Sequence, residues 1–179
     1  MPRELVLHAA EALFADASTP TAVSMDDIAA AAGVGKGTLF RAFGSRDGLL
    51  DAVFAARLNP LRAEIARVGS PIGPQIPPAD RVVGLLELLL VFKLDNPRLI
   101  AARELSGSSL LRAPHYRWVH EFLRALIEET GTPSTSADYA AHLLLNGLRA
   151  DLISELLASG TTREQLLREL TRTSLRLLE

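Results

Sequence analysis

Four consecutive alanines, Ala29 to Ala32, run straight into the glycine-rich turn GVGKGT, Gly33 to Thr38. That junction restricts the fold more than any other feature of the chain. Alanine is the best helix former and a poor strand former, so the glycines follow a helix. Two nucleotide-binding loops are excluded on this ground and on spacing. A GxxxxGK[ST] loop built on Gly35 and Lys36 needs glycine at position 30 and Ser or Thr at 37, where the chain has Ala30 and Gly37. A GxGxxG fingerprint begins well with Gly33 and Gly35, but its third position is Thr38 and no strand precedes it.

The same punctuation sets up short helices. Ser24 opens SMDD, a capping-box pattern with Asp27 at the third helical position, and predicts a helix over Met25–Ala32. Gly33 ends it where φ must turn positive. A second short helix follows over about Lys36–Phe43 and is closed by Gly44. Ser45 then caps a long helix, SRDGLLDAVFAARLNPLRAEIARV, in which Pro60 is expected to make a kink. Ahead of all three, Leu5, Ala9, Ala12 and Leu13 recur at helical spacing, with Phe14 widening the stripe, until STPTA, Ser18 to Ala22, breaks the helix.

Two short helices joined by a tight glycine turn form a helix-turn-helix. Ala29 is the small residue where they cross. Ile28, Val34 and Leu39 are spaced to lock both onto the first helix, and Phe43 closes the second onto the core. Lys36, Gly37, Thr38 and Arg41, with Phe40 beside them, are then left to face a DNA major groove. The glycines and the lysine meet phosphate as the N-terminus of a helix set against a DNA backbone.

The pattern DDIAAAAGVGKGTLFRAFGSRDGLL, preceded by LHAAEALFA, resembles the DNA-binding region of the TetR family of bacterial transcriptional regulators over roughly residues 5 to 56. The resemblance implies a homodimeric, repressor-like regulator of a palindromic double-stranded DNA operator, with a C-terminal domain that binds a small-molecule effector. The residues expected to contact DNA are Ser24, Lys36, Gly37, Thr38, Phe40, Arg41, Ser45 and Arg46. The chain departs from the family pattern at Gly35, often Ser, at Phe40, often Tyr, and at Arg46, often Lys. Residues 1–54 carry four Lys/Arg against seven Asp/Glu, so the head is acidic. DNA binding is strongly electrostatic, which predicts modest affinity and steep salt sensitivity. The acidic head, Gly35 and Phe40 also motivate an alternative: a small-molecule-binding or scaffolding helical dimer whose DNA-binding head has decayed.

The expected fold is all-α, a three-helix head over 1–47 and a helical bundle over 48–179, about nine helices in all. GSPIGPQIPPAD, residues 69–80, forms a linker or long loop because four prolines and two glycines stop any helix. Beyond it come helices from Asp80 to about Asp95, from Pro97, and from Pro114. After the loop Thr132–Ser136 a long helix runs over ADYAAHLLLNGLRADLISELLASG, and a last one opens with Thr161 and Glu164 as a second capping box. Polar residues inside these apolar segments are candidates for an effector pocket: Arg103, His142, Asn146 and Arg149, joined by Leu89, Phe92, Trp118 and Phe122. His142, Asn146 and Arg149 stand at i, i+4 and i+7, on one face of one helix. The surplus of leucine on the last two helices suits a dimer interface of Leu148, Leu152, Leu156, Leu166, Leu170 and Leu177.

Other classes find little support. A net charge of −2 favours no partner, and the absence of cysteine removes disulfides and thiolate chemistry and suits a cytoplasmic location. The most apolar run, Val82–Phe92, is too short to span a bilayer. The four histidines show no metal-binding spacing, there is no GxSxG elbow, and Gly107-Ser108-Ser109 has no evident base nearby. No metal, cofactor or catalytic residue is therefore expected.

Overall fold

In the computed structural model, the residues described are 3–16, 19, 22–106, 109–131 and 136–178. Most of STPTA, Gly107-Ser108, and residues 132–135 of the Thr132–Ser136 loop lie outside them. The described residues are all helical or irregular, as expected. Eleven α-helices follow one another: α1 (Arg3–Asp16), α2 (Met25–Ala31), α3 (Lys36–Phe43), α4 (Arg46–Arg57), α5 (Asn59–Ala66), α6 (Pro78–Asp95), α7 (Pro97–Glu104), α8 (Pro114–Glu129), α9 (Ala137–Asn146), α10 (Ala150–Ala158) and α11 (Arg163–Leu178). Among them, no helix is long and apolar enough to cross a membrane.

Two of the expected long helices are each divided in two. The helix from Ser45 stops at Leu58, and Asn59-Pro60 opens α5. Pro60 has no N–H to give, and its ring would clash with the carbonyl of Ala56 in a continuous helix, so the chain restarts instead of kinking. The helix from Ala137 stops at Asn146, and Gly147 and Leu148 carry the chain to Arg149, the N-cap of α10 with ψ of 143°. Lys93 Nζ donates to the Leu148 carbonyl at 2.6 Å, which satisfies a group freed by that break. The second capping box also falls one residue later than expected. Thr162 Oγ1 accepts from Gln165 N while Gln165 Oε1 accepts from Thr162 N.

The chain packs as two compact units. The first comprises residues 1–58 and 96–115, hence α1–α4 and α7. Its core holds Val6, Ala10, Phe14, Ile28, Leu39, Leu49, Leu50 and Val53. The stripe of α1 is therefore Val6, Ala10 and Phe14, spaced by four. Of the expected stripe only Phe14 is buried, Ala9 and Leu13 are half-buried, and Leu5 is 58% exposed. Arg98 donates to the Ala15 carbonyl at the end of α1, and Arg57 pairs with Glu11 at 2.9 Å.

The second unit comprises 59–95 and 116–179. There α6 packs along α11, and Thr171 Oγ1 donates to Glu87 Oε1 at 2.6 Å between them. The 69–77 segment is folded onto its own unit. Ser70 and Ile72 are buried, Arg81 donates to the Ile72 carbonyl, and a side chain added at Gly84 would meet Ile72 Cγ2 at 2.6 Å. The helix after it begins at Pro78, in the first-turn position that proline favours, and not at Asp80.

Candidate nucleic-acid interface

The turn between α2 and α3 is built as its residues require. Ser24 accepts from Asp27 N, and the Asp27 carboxylate accepts from the Ser24 amide at 2.9 Å, so the capping box closes in both directions. The Ser24 hydroxyl and amide together hold the Asp27 carboxyl below its ordinary value. Gly33 takes φ of 64°, and Val34 N then donates to the Ala29 carbonyl at 3.0 Å, which turns the chain toward α3. Ile28, Ala29, Leu39 and Phe43 are all buried and fix α3 on the unit below it, while Val34 is half-buried. Gly44 ends α3 with φ of 75°, and the Ser45 hydroxyl accepts from Gly48 N at 3.0 Å to start α4. Gly48 is required there for space, since a Cβ would lie 2.1 Å from the Phe43 carbonyl oxygen.

Among the described residues, this leaves one face of α3 with nothing packed on it. Lys36, Gly37, Thr38, Phe40 and Arg41 are all exposed, Phe40 by 39%. Arg41 lies two residues from both buried anchors, Leu39 and Phe43, and so projects from the opposite side. Lys36 Nζ contacts Asp26 Oδ2 at 2.7 Å, both side chains being 60% exposed. An exposed pair of this kind contributes about 0–1 kcal/mol and is easily exchanged for another anion.

The matching model is that of the bacterial regulatory proteins of the tetR family, over residues 6–53. Over these residues the chain is similar to the TetR family. An HTH-type transcriptional regulator of Mycobacterium tuberculosis is 35% identical over 96 residues, covering 54% of this chain and 46% of that protein. The match thus spans about half the length of such curated relatives. A TetR regulator from Rhodococcus sp. RHA1 superposes with a TM-score of 0.66 at 22% identity, over 98% of this chain and 93% of that one. The FadR repressor of Thermus thermophilus, solved with lauroyl-CoA, gives 0.68 at 24% identity, over 98% and 92%. Both structures share the whole fold.

Within this TetR-like head, Arg46 departs from its expected position. Its Nε donates to the Val23 carbonyl at 3.1 Å, its Nη1 donates to the Ala102 carbonyl at 3.2 Å, and its guanidinium lies 5.1 Å from the centre of the Phe14 ring. Burial lowers its pKa. The side chain is a tie within the first unit and does not point outward. Ser24 and Ser45 are exposed, but both hydroxyls are engaged as caps.

The residues expected in an effector pocket divide between the two units. Arg103 belongs to the first unit, where it is 2% exposed and contacts Asp51 at 2.6 Å. The other seven belong to the second. Trp118 stacks on Phe122, with Arg62 over the former and Arg81 over the latter. Leu89 is buried and Phe92 half-buried on α6. His142 is bonded to the Tyr116 hydroxyl. Asn146 is exposed and donates to the His142 carbonyl. Because the helix breaks at Gly147, Arg149 does not share a face with His142 and Asn146, and it pairs with Asp151 at 2.9 Å.

A groove of about 250 Å³ does open between α6, α9, α10 and α11. Leu148, Leu156, Leu166, Leu170 and Leu177 line it, five of the six leucines expected at a dimer interface. None of the eight expected pocket residues is among its lining. Leu152, the sixth leucine, is exposed on α10.

Proposed function

We propose that this chain is a ligand-responsive transcriptional repressor that binds DNA through α3. The observation that carries the reading is the unpacked face of α3, held by buried anchors on its other side. Gly37 supports it. Glycine in a helix costs about 1 kcal/mol against alanine, and among the described residues no neighbour needs the space, since a Cβ there would meet nothing within 4 Å. Close approach of a DNA backbone gives that glycine a use. The acidic composition of the head is also less opposed to DNA than its count suggests. Asp27 is a cap, Glu11 pairs with Arg57, and Asp51 pairs with Arg103.

The functional division we propose is a DNA-binding head over 1–47 and an effector and dimerisation part over 48–179. Lys36, Gly37, Thr38, Phe40 and Arg41 contact the groove and its edges, and Ser24 and Ser45 stand at the phosphate flanks. Two copies joined through the leucines of α10 and α11 would present two α3 helices to a palindromic operator, about 34–36 Å apart. An effector that favours another separation releases the DNA. Because FadR is solved with lauroyl-CoA, an acyl-CoA is one class to screen, and the apolar aromatic candidates Phe92, Trp118 and Phe122 are compatible with it.

The test is fluorescence anisotropy on the DNA upstream of the protein's own gene, at low and moderate salt. Arg41→Ala is expected to weaken binding by about 1–3 kcal/mol while leaving the fold intact. No binding at any salt by a folded wild-type dimer would favour the decayed-head alternative instead. Asp26→Asn is expected to act in the other direction. It removes a negative charge beside the N-terminus of α3 and releases Lys36 to the phosphates, so affinity rises by about 1 kcal/mol or less. Unchanged or weaker binding by this variant would mean that Lys36 does not face DNA.

A further inference from the structure

We infer that His120, Asp138 and His142 form a binding site for one divalent late first-row transition metal of the zinc class. Each of the three offers a ligating atom, and these atoms lie within 4.8 Å of one another. His120 comes from α8, and Asp138 and His142 come from α9, four residues apart and so on one face of that helix. His120 Nε2 is 3.4 Å from Asp138 Oδ1. The two imidazole rings face each other with centroids 3.9 Å apart and planes at 25°.

Around a tetrahedral zinc with bonds near 2.0–2.1 Å, ligand atoms stand about 3.4 Å apart. To close on one ion the three atoms must draw together and the two facing rings must turn so that their nitrogen lone pairs converge, and the Asp138 side chain, 65% exposed, has room to follow. Two imidazoles and one carboxylate are a donor set suited to zinc, cobalt, nickel or copper, and poorly suited to magnesium or calcium. The exposed side of Asp138 leaves a fourth position open to water or to a ligand.

Tyr116 supplies the support such a site needs. Its hydroxyl is 2.7 Å from His142 Nδ1. Ligation through His142 Nε2 uses the tautomer in which Nδ1–H donates to the tyrosine oxygen, the arrangement that orients a metal-bound imidazole. A purely structural account explains the parts but not their meeting. Asp138 alone is a favourable charge in the first turn of α9, and His120 alone contacts the Asp138 carbonyl at 3.3 Å. Neither requires a second imidazole stacked against the first beside the carboxylate. The inference is independent of whether the head binds DNA.

The experiment uses the full chain without an affinity tag. Zn²⁺ is titrated against a competing chromophoric chelator, Co²⁺ is used as a spectroscopic probe, and thermal unfolding is followed with and without Zn²⁺. The expected result is one saturable site per chain, visible Co²⁺ absorption of tetrahedral intensity, and a raised unfolding midpoint. His142→Gln and Asp138→Asn are each expected to weaken binding by more than about tenfold, and His8→Gln, on α1, to leave it unchanged. Should His142→Gln fail to fold, Asp138→Asn carries the test because its side chain is exposed. Absence of saturable binding, or binding unaltered by Asp138→Asn, overturns the site.

Discussion

Arg103→Met is expected to destabilise the first unit by about 3–5 kcal/mol, as removing one partner of a buried ion pair does. Arg103 is 2% exposed and its Nε donates to Asp51 Oδ1 at 2.6 Å, joining α7 to α4. Methionine fills much of the volume, so the loss reports the charge left behind more than a cavity. His115 does not rescue it well. Its Nδ1 lies 3.3 Å from Asp51 Oδ1 but is misaligned for a hydrogen bond, and its ring is held stacked on Phe54 at 4.6 Å. Asp51 keeps some access to water, which favours the lower end of the range. Urea unfolding followed by circular dichroism measures the change, and a loss below about 1 kcal/mol would show the pair to be dispensable.

The same variant has a signature in pH. Burial pushes the Asp51 carboxyl up, but the close approach of His115 and the hydrogen bond and charge of Arg103 outweigh it and hold the carboxyl below its ordinary value of 3.8. A depressed folded-state pKa contributes stability above the unfolded value, and that contribution disappears as pH falls through the folded one. The wild type is therefore expected to lose stability below about pH 4 partly through Asp51. In Arg103→Met burial acts with less opposition, and that part of the acid dependence shrinks or reverses.

What could be read from sequence divides along a physical line. Features set by local stereochemistry were legible: the Ser24–Asp27 box, the positive φ of Gly33, the cap at Ser45, and the buried anchors Leu39 and Phe43. Each depends on a few neighbouring residues. Features set by competition between equivalent options were not. In α1 both Leu5–Ala9–Leu13 and Val6–Ala10–Phe14 are apolar stripes, and only packing against α2, α4 and α7 selects the second. Gly147 alone is a weak helix breaker, and Lys93, more than fifty positions earlier, stabilises the break by taking the Leu148 carbonyl. Arg46 reads as a surface charge until Val23, Ala102 and Phe14 converge on it. The histidine cluster was missed because motif spacing tests one helix at a time, and His120 and His142 lie on two. The one local clue was Asp138 four residues before His142.

Leu39→Ala is expected to lower stability by about 2–5 kcal/mol, the range for a fully buried leucine truncated to alanine. Leu39 is 0% exposed, and it sits between the exposed residues Thr38 and Phe40 on an eight-residue helix. So short a helix has little stability of its own and depends on its buried contacts. The two neighbours of Arg41 along the buried side, Leu39 and Phe43, are what hold the guanidinium outward. Truncating Leu39 therefore removes two things together, global stability and the fixed presentation of α3. Arg41→Ala removes neither, and its unfolding free energy is expected to stay within about 0.5 kcal/mol of wild type. Paired measurement of unfolding and DNA binding separates the cases. If α3 is a presented recognition helix, both variants bind DNA weakly but only Leu39→Ala unfolds early. If Leu39→Ala unfolds early and binds DNA as tightly as wild type at a temperature where it is folded, the presentation of α3 does not govern binding, and the contacts lie elsewhere on the head.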